Sequence, residues 1–401
     1  MFKKLIDSKK LGGVTCLIWK DGKVLYQEAQ GYRNLDSFEP MTIDTIFRIA
    51  SMTKPITSVL AMMLCEEKKM DPDDPITKWF PQFRTMKVLK NQSGEYEDAK
   101  RVITVLDLLT QRAGFTYSGF QKGKLKEDYE RILGGDIDSA CTNEQWINGL
   151  AGLPLVSQPG ELFNYGKATD LLGILISVIE GKKLGKVMEE KIFHPLGMTD
   201  TFFDVPDNKR NRCASNMGYD DSGKLTNLET VPSKMAFKVR PPDLEFEAGS
   251  GGLWSTIGDY LKFARLFVEN GSSNGVQILK PETIHFMCSN QLTDYQREHS
   301  RLMNSTMFRE YHGFGLGLAV VMKESNGSMP CAGSIGSVGW PGAYGGWWSA
   351  DPVKKSVSIF LTHSMTELYQ LAQGIGFELF EAIDIFSKYS KEVINANMHP
   401  V

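Results

Sequence analysis

The sequence predicts an α/β (α+β) fold in which strand-forming segments at both ends of the chain share one sheet and a mostly helical stretch lies between them. Three observations predict it. Val14 to Trp19 and Val24 to Gln27 are strand-like runs joined by Lys20-Asp21-Gly22-Lys23, where Asp-Gly supplies the positive φ angles of a tight hairpin turn. From Met52 to Cys65 the period changes, with Ile56, Val59, Leu60 and Met63 at the spacing of a helix that is apolar on most sides and therefore buried. Toward the C-terminus strand patterns resume at Leu316 to Met322, Tyr344 to Ser349 and Val357 to Thr362.

Between these ends, Val102 to Gln111 and Lys167 to Glu180 read as helices stopped by Gly114 and Gly181, and Asn208 to Glu247 reads as loop-rich. A helix over Ile257 to Val268 follows Gly249-Ser250-Gly251-Gly252, and Glu367 to Phe386 has helical period. The division expected is a sheet unit made of residues 1–55 with 245–401 and a mostly helical unit over 56–244. No repeat or low-complexity stretch interrupts it.

With 401 residues, 42% hydrophobic content and a net charge of -3, the chain can bury a large core and has no basic field for nucleic acid or anionic lipid. A small-molecule partner is expected, with no nucleic acid and no membrane. The start, Met1 to Asp7, lacks the apolar region of a signal peptide, so a cytoplasmic location is expected; Leu171 to Ile179 is too short to span a bilayer. The six cysteines (Cys16, Cys65, Cys141, Cys213, Cys288, Cys331) show no Cys-x-x-Cys spacing and read as free, mostly buried thiols. The histidines form no metal-ligand pair, so no metal is expected.

Ser51-Met52-Thr53-Lys54 is the candidate for chemistry. A serine hydroxyl needs a base within reach and donors for the oxyanion formed on attack. On a helical turn, Lys54 shares a face with Ser51, and apolar neighbours would lower its proton affinity by desolvation. The same spacing also arises from an N-cap followed by a surface lysine. Two facts favour chemistry: the chain holds no second Ser-x-x-Lys, and this one opens an apolar helix where an exposed lysine is out of place. Gly271-Ser272-Ser273-Asn274-Gly275 matches the nucleophile-elbow pattern but follows a helix instead of a buried strand, and reads as a helix-stopping turn.

With Ser51-Met52-Thr53-Lys54, the blocks Ile103 to Thr110, Pro159-Gly160 through Tyr165, His194 to Thr201 and Gly249 to Thr256 occur in an order that resembles the serine β-lactamase-like superfamily, nearest its family VIII carboxylesterases. The resemblance implies a β-lactamase/DD-peptidase-like fold: a central antiparallel sheet flanked by N- and C-terminal helices, with the active site between sheet and helical domain. It also implies that Tyr165, in Asn164-Tyr165-Gly166-Lys167, shuttles protons with Lys54 for the nucleophile Ser51; on position alone Tyr165 is a loop aromatic. Where the family has asparagine this chain has Lys167, and the basic residue of the family's Lys-Thr-Gly triplet is replaced in Trp340-Pro341-Gly342-Ala343. These departures point away from β-lactams, with Lys167, Trp340, Gly342 and Ala343 lining the substrate and the Ala343 and Ser51 amides forming the oxyanion hole. The expected activity is acyl-enzyme hydrolysis of small uncharged esters, without cofactor. A β-lactamase, D-amino-acid peptidase or acyltransferase of the same fold, and a non-catalytic binding protein on it, are the alternatives.

Overall fold

The computed structural model describes residues 1–90, 94–220, 222–228, 240, 244–302, 305–306, 308, 310–325, 327–366, 370 and 373–397. Helix α1 (Lys3–Asp7) leads into strands β1 (Gly13–Lys20) and β2 (Lys23–Asn34). Asp21 and Gly22 between them both have positive φ, 45° and 84°, the twist-matched turn that the Asp-Gly pair predicts. Strand β3 (Glu39–Pro40) closes one sheet edge, and β4 (Phe47–Arg48) pairs outside the sheet with β5 (Trp254–Ser255).

The remaining strands of the main sheet come from the far end of the sequence: β6 (His312–Phe314), β7 (Ala319–Val321), β8 (Val338–Gly339), β9 (Trp347–Asp351) and β10 (Ser356–Leu361). Their order is β6-β7-β8-β9-β10-β1-β2-β3 with antiparallel neighbours throughout, joined by β1 against β10 from Thr15↔Leu361 to Lys20↔Ser356. This is the antiparallel sheet that the two ends were expected to share.

Strand β1 is buried along its whole length because the sheet is covered on both faces. Cys16 and Ile18 face one side, where Phe2, Trp347, Phe360 and helix α6 (Phe377–Ala396) complete a core. Leu17 and Trp19 face the other, where α2 (Thr53–Glu66) and α5 (Ile257–Ala264) pack with Ile359, Leu361 and Trp348. Helix α2 is buried on every side from Thr53 to Met62, α4 (Ala168–Glu180) packs on it, and α3 (Val105–Leu109) packs on α4 in turn.

Several boundaries differ from the expected ones. Helix α3 covers five residues, not Val102 to Gln111, because a Thr104/Asp107 capping box starts it and Gln111, at φ 56°, lies beyond its end. Helix α6 starts at Phe377, ten residues past Glu367, since Gly374 and Gly376 both sit at φ 82°; Glu367 itself lies outside the described residues. The predicted loop region from Asn208 to Glu247, in part also outside them, contributes Met217–Tyr219 and Leu225–Asn227 to a small sheet with Ser364–Met365. Ser272–Ser273 and Val276–Gln277 form a hairpin across Asn274 and Gly275, both at positive φ, so that run is a turn that leads into a strand, not into a helix. Among the described residues no cysteine forms a disulfide, and only Cys16 and Cys331 are fully buried. No described helix is long and apolar enough to cross a membrane.

A buried charge cluster ties the loop after residue 134 to this frame. Asp138 accepts from Arg48 of β4 at 3.1 Å and from Arg240, and Arg48 lies 4.7 Å over the Trp254 ring. Asp138→Ala leaves two guanidinium groups facing each other in the interior. It is expected to lower unfolding stability by about 3–5 kcal/mol, measured by urea denaturation.

Candidate active site

Ser51 lies in a single 3-10 turn, Ala50–Met52, that runs directly into α2. Ala50 has φ 43°, a left-handed conformation costly for a residue with a Cβ, and the surroundings hold it there. Tyr260 of α5 donates to the Met52 carbonyl at 3.0 Å, and the Ile49 amide bonds to Leu253 at 3.0 Å. The strained turn leaves the Ser51 side chain half-buried while its neighbours Ala50 and Met52 are buried.

Lys54 is fully buried, one turn further on. Its amine donates to Ser51 Oγ at 3.3 Å, to Tyr117 Oη at 3.1 Å and to the Ser250 carbonyl at 2.9 Å, and lies 4.5 Å over the Tyr165 ring. None of these partners carries a negative charge. Burial therefore brings its pKa down to about 7; Asp170 opposes the shift and Lys167 adds to it.

The Ser250 carbonyl reaches Lys54 because the Gly249-Ser250-Gly251-Gly252 segment is stitched along α2. Thr57 donates to Gly249 O at 2.6 Å, and the Leu253 amide donates to Thr53 Oγ1 at 3.3 Å. A Cβ on Gly249 would sit 2.7 Å from the Thr169 carbonyl and 3.2 Å from Gly173 Cα, so only glycine lets this segment pass between α2 and α4.

Tyr165 precedes α4 on a turn braced by Gln111, whose carbonyl takes the Asn164 amide at 2.7 Å and whose side-chain oxygen takes the Gly166 amide at 3.0 Å. Burial pushes the Tyr165 phenol well above its ordinary range, while hydrogen bonding with Ser51 and Trp340 pulls it back. Trp340 is almost fully buried and its indole N–H donates to Tyr165 Oη at 3.0 Å. Its one polar hydrogen is thereby committed to the tyrosine.

Lys167 also departs from its expected place. It is buried, and its amine donates to the carbonyls of Gly135 at 3.2 Å and Asp136 at 2.9 Å, with the Asp136 carboxylate 3.7 Å away. An ammonium so engaged is not an open substrate-binding group. Gly342 supplies no spare donor either, since its amide bonds to Gly346 O at 2.7 Å; its role is close approach, a Cβ there falling 2.4 Å from the Ile49 carbonyl. That approach sets the backbone at 342 against the turn that carries Ser51. Among the described residues neither the Ser51 nor the Ala343 amide donates to a backbone carbonyl, and Ala343 is exposed.

Tyr117, absent from the sequence reading, completes the cluster. It donates to Ser250 Oγ at 2.8 Å and its ring lies 5.5 Å from that of Tyr165, brought close because a Cβ on Gly166 would already sit 2.4 Å from Thr116 Cα. Nothing in the pattern of Phe115-Thr116-Tyr117-Ser118 marks it as different from a core aromatic. Asp170, on the first turn of α4, accepts from the Ser250 amide at 2.9 Å. Phe120, half-exposed, packs 6.0 Å from Tyr117 and 6.2 Å from Tyr165 and adds an apolar ring at the outer side of the cluster.

The chain is similar to known proteins along almost its whole length. A family model described as Beta-lactamase matches residues 1–373. Protein Rv1367c of Mycobacterium tuberculosis is 37% identical over 371 residues, covering 91% of this chain and 89% of its own. Esterase EstB of Burkholderia gladioli is 25% identical over 92% of this chain and 90% of its own. Among solved structures, EstCE1, titled a hydrolase with promiscuous acyltransferase activity, aligns with a TM-score of 0.74 at 24% identity over 95% of this chain and 96% of that one. Unliganded simvastatin synthase (LovD) from Aspergillus terreus aligns at 0.74 with 22% identity over 97% of each chain. These last two identities speak to the fold.

Holding Lys54 in this interior has a stability cost of determinable sign. Its folded pKa lies below its unfolded one, so the penalty grows as pH falls from about 10.4 to 7 and is constant below, reaching about 4 kcal/mol at pH 7. Lys54→Met removes that penalty and forfeits hydrogen bonds worth about 1–3 kcal/mol. A higher urea midpoint than wild type is expected at neutral pH, with the advantage lost between about pH 8 and 10 and reversed above that.

Proposed function

The chain belongs to the Beta-lactamase family, and on that premise we propose that it is a serine hydrolase working through an acyl-enzyme, a carboxylesterase acting on small uncharged esters. The observation that carries the reading is the Lys54 amine, buried without a counter-ion and 3.3 Å from Ser51 Oγ. A lysine whose pKa is about 7 is partly uncharged at neutral pH and can accept a proton.

In this mechanism Ser51 Oγ attacks the ester carbonyl carbon, and its proton passes to the Lys54/Tyr165 pair, which shares it as one titrating unit. The Ser51 and Ala343 amides receive the oxyanion. On collapse the carbon–alkoxide bond breaks and the same proton goes to the leaving alcohol. Water then attacks the acyl-serine, gives a proton to the pair, and releases the acid as Ser51 is reprotonated. No step calls on a metal or organic cofactor.

Preference for uncharged esters is supported by the commitments of the groups around Ser51. The Lys167 ammonium is taken by the 135 and 136 carbonyls and the Trp340 N–H by Tyr165, so neither meets a substrate carboxylate. The aromatic rim of Phe120 and Tyr165 suits an apolar acyl or alcohol group. A relative named as an esterase, at 25% identity across nearly the whole chain, is consistent with this.

The test compares p-nitrophenyl acetate and butyrate with a chromogenic cephalosporin. The esters are expected to turn over and the cephalosporin not, with Ser51→Ala losing about 10³-fold or more in kcat/KM. Ester turnover surviving in Ser51→Ala removes the nucleophile assignment, and rapid cephalosporin turnover removes the ester preference.

A further inference from the structure

Two further charges flank Lys54 on one turn of α4. Lys167, the N-cap, and Asp170 are three residues apart and so share a face of the helix. Each reaches Lys54 through one intermediary. Lys167 lies 5.1 Å over the Tyr117 ring, whose hydroxyl accepts from Lys54 at 3.1 Å, so that one phenol is held between two amines. Asp170 Oδ1 accepts from the Ser250 amide at 2.9 Å, and the Ser250 carbonyl accepts from Lys54 at 2.9 Å. Burial pushes the Asp170 carboxyl up from its ordinary range, and the charges of Lys167 and Lys54 and hydrogen bonding from Ser250 hold it down.

We propose that Lys167 and Asp170 are an opposed pair of positioning residues for Lys54, the first acting through Tyr117 and the second through Ser250, which together set the pH at which Ser51 becomes reactive. The proposal rests on the serine hydrolase reading above. In a low-dielectric interior a cation near Lys54 disfavours its protonation and an anion favours it, and the two act on the amine with these signs. The other polar groups facing Lys54 are the hydroxyls of Ser51, Tyr117 and Tyr165, all uncharged at neutral pH, and Asp136 lies behind Lys167. Removing one member of the pair therefore leaves the other unopposed. Where the family resemblance expects an asparagine, Lys167 adds a positive charge, and Asp170 offsets it.

The experiment follows the rate of Ser51 labelling by a fluorophosphonate across neutral pH, which needs no knowledge of the substrate. Wild type is expected to gain reactivity with a midpoint near 7. Asp170→Asn moves that midpoint down, and Lys167→Met moves it up, each by on the order of one pH unit. The double variant returns toward wild type. A purely structural role would slow labelling in each variant without shifts of opposite sign. Shifts of the same sign, or none in variants whose melting shows them folded, overturn the proposal. Should Lys167→Met not fold, Lys167→Gln, which can still donate to the 135 and 136 carbonyls, takes its place. Labelling that persists in Ser51→Ala defeats the hydrolase reading instead, and so separates the two failures.

Discussion

An amine buried at Lys54 without a carboxylate against it is the constraint on which the rest of the site depends. An ion pair would hold the lysine charged and useless as a base, whereas solvent would restore its ordinary proton affinity. The chain avoids both by surrounding the amine with a carbonyl, a serine hydroxyl, a tyrosine hydroxyl and the face of a second tyrosine. Each neighbour satisfies a donor without adding formal charge. The burial of α2 on every side from Thr53 to Met62 keeps solvent from the amine.

Supplying those neighbours shapes the chain elsewhere. The Ser250 carbonyl must pass between two helices, which requires Gly249 against Thr169 and Gly173. The Tyr165 turn must lie on Thr116, which requires Gly166. Ala50 accepts a left-handed backbone so that Ser51 faces the amine, a local strain opposed by the Tyr260 and Leu253 contacts. From the loop ahead of β9, Gly342 comes against the Ser51 turn, where a Cβ would fall 2.4 Å from the Ile49 carbonyl. Sheet and helices meet at the Ser51 turn, and β1 paired with β10 joins the two ends of the sequence that make this possible.

What could be read in the sequence was whatever is local. The Ser51/Lys54 spacing is a property of one helical turn, and the Asp21-Gly22 turn and the apolar pattern of α2 are likewise set by neighbouring residues. Tyr165 became legible only through the order of blocks resembling a family. Tyr117 and Asp170 were not legible, since 63 residues separate Tyr117 from Lys54 and its placement depends on loop packing with no period. Lys167 and Trp340 were visible as departures, but which way each side chain turns depends on carbonyls and a phenol contributed from elsewhere. The late start of α6 and the short α3 arose from backbone φ values and a capping box that apolar periodicity does not register.

The most direct measurement of this account is the titration of the Lys54 amine itself by nitrogen NMR of protein labelled at lysine, with Lys54→Met identifying the resonance. The amine is predicted to lose its proton with a midpoint near 7. A Lys54 signal that stays charged up to the ordinary lysine range, about pH 10.4, would contradict the claim that burial without a counter-ion makes this residue a base.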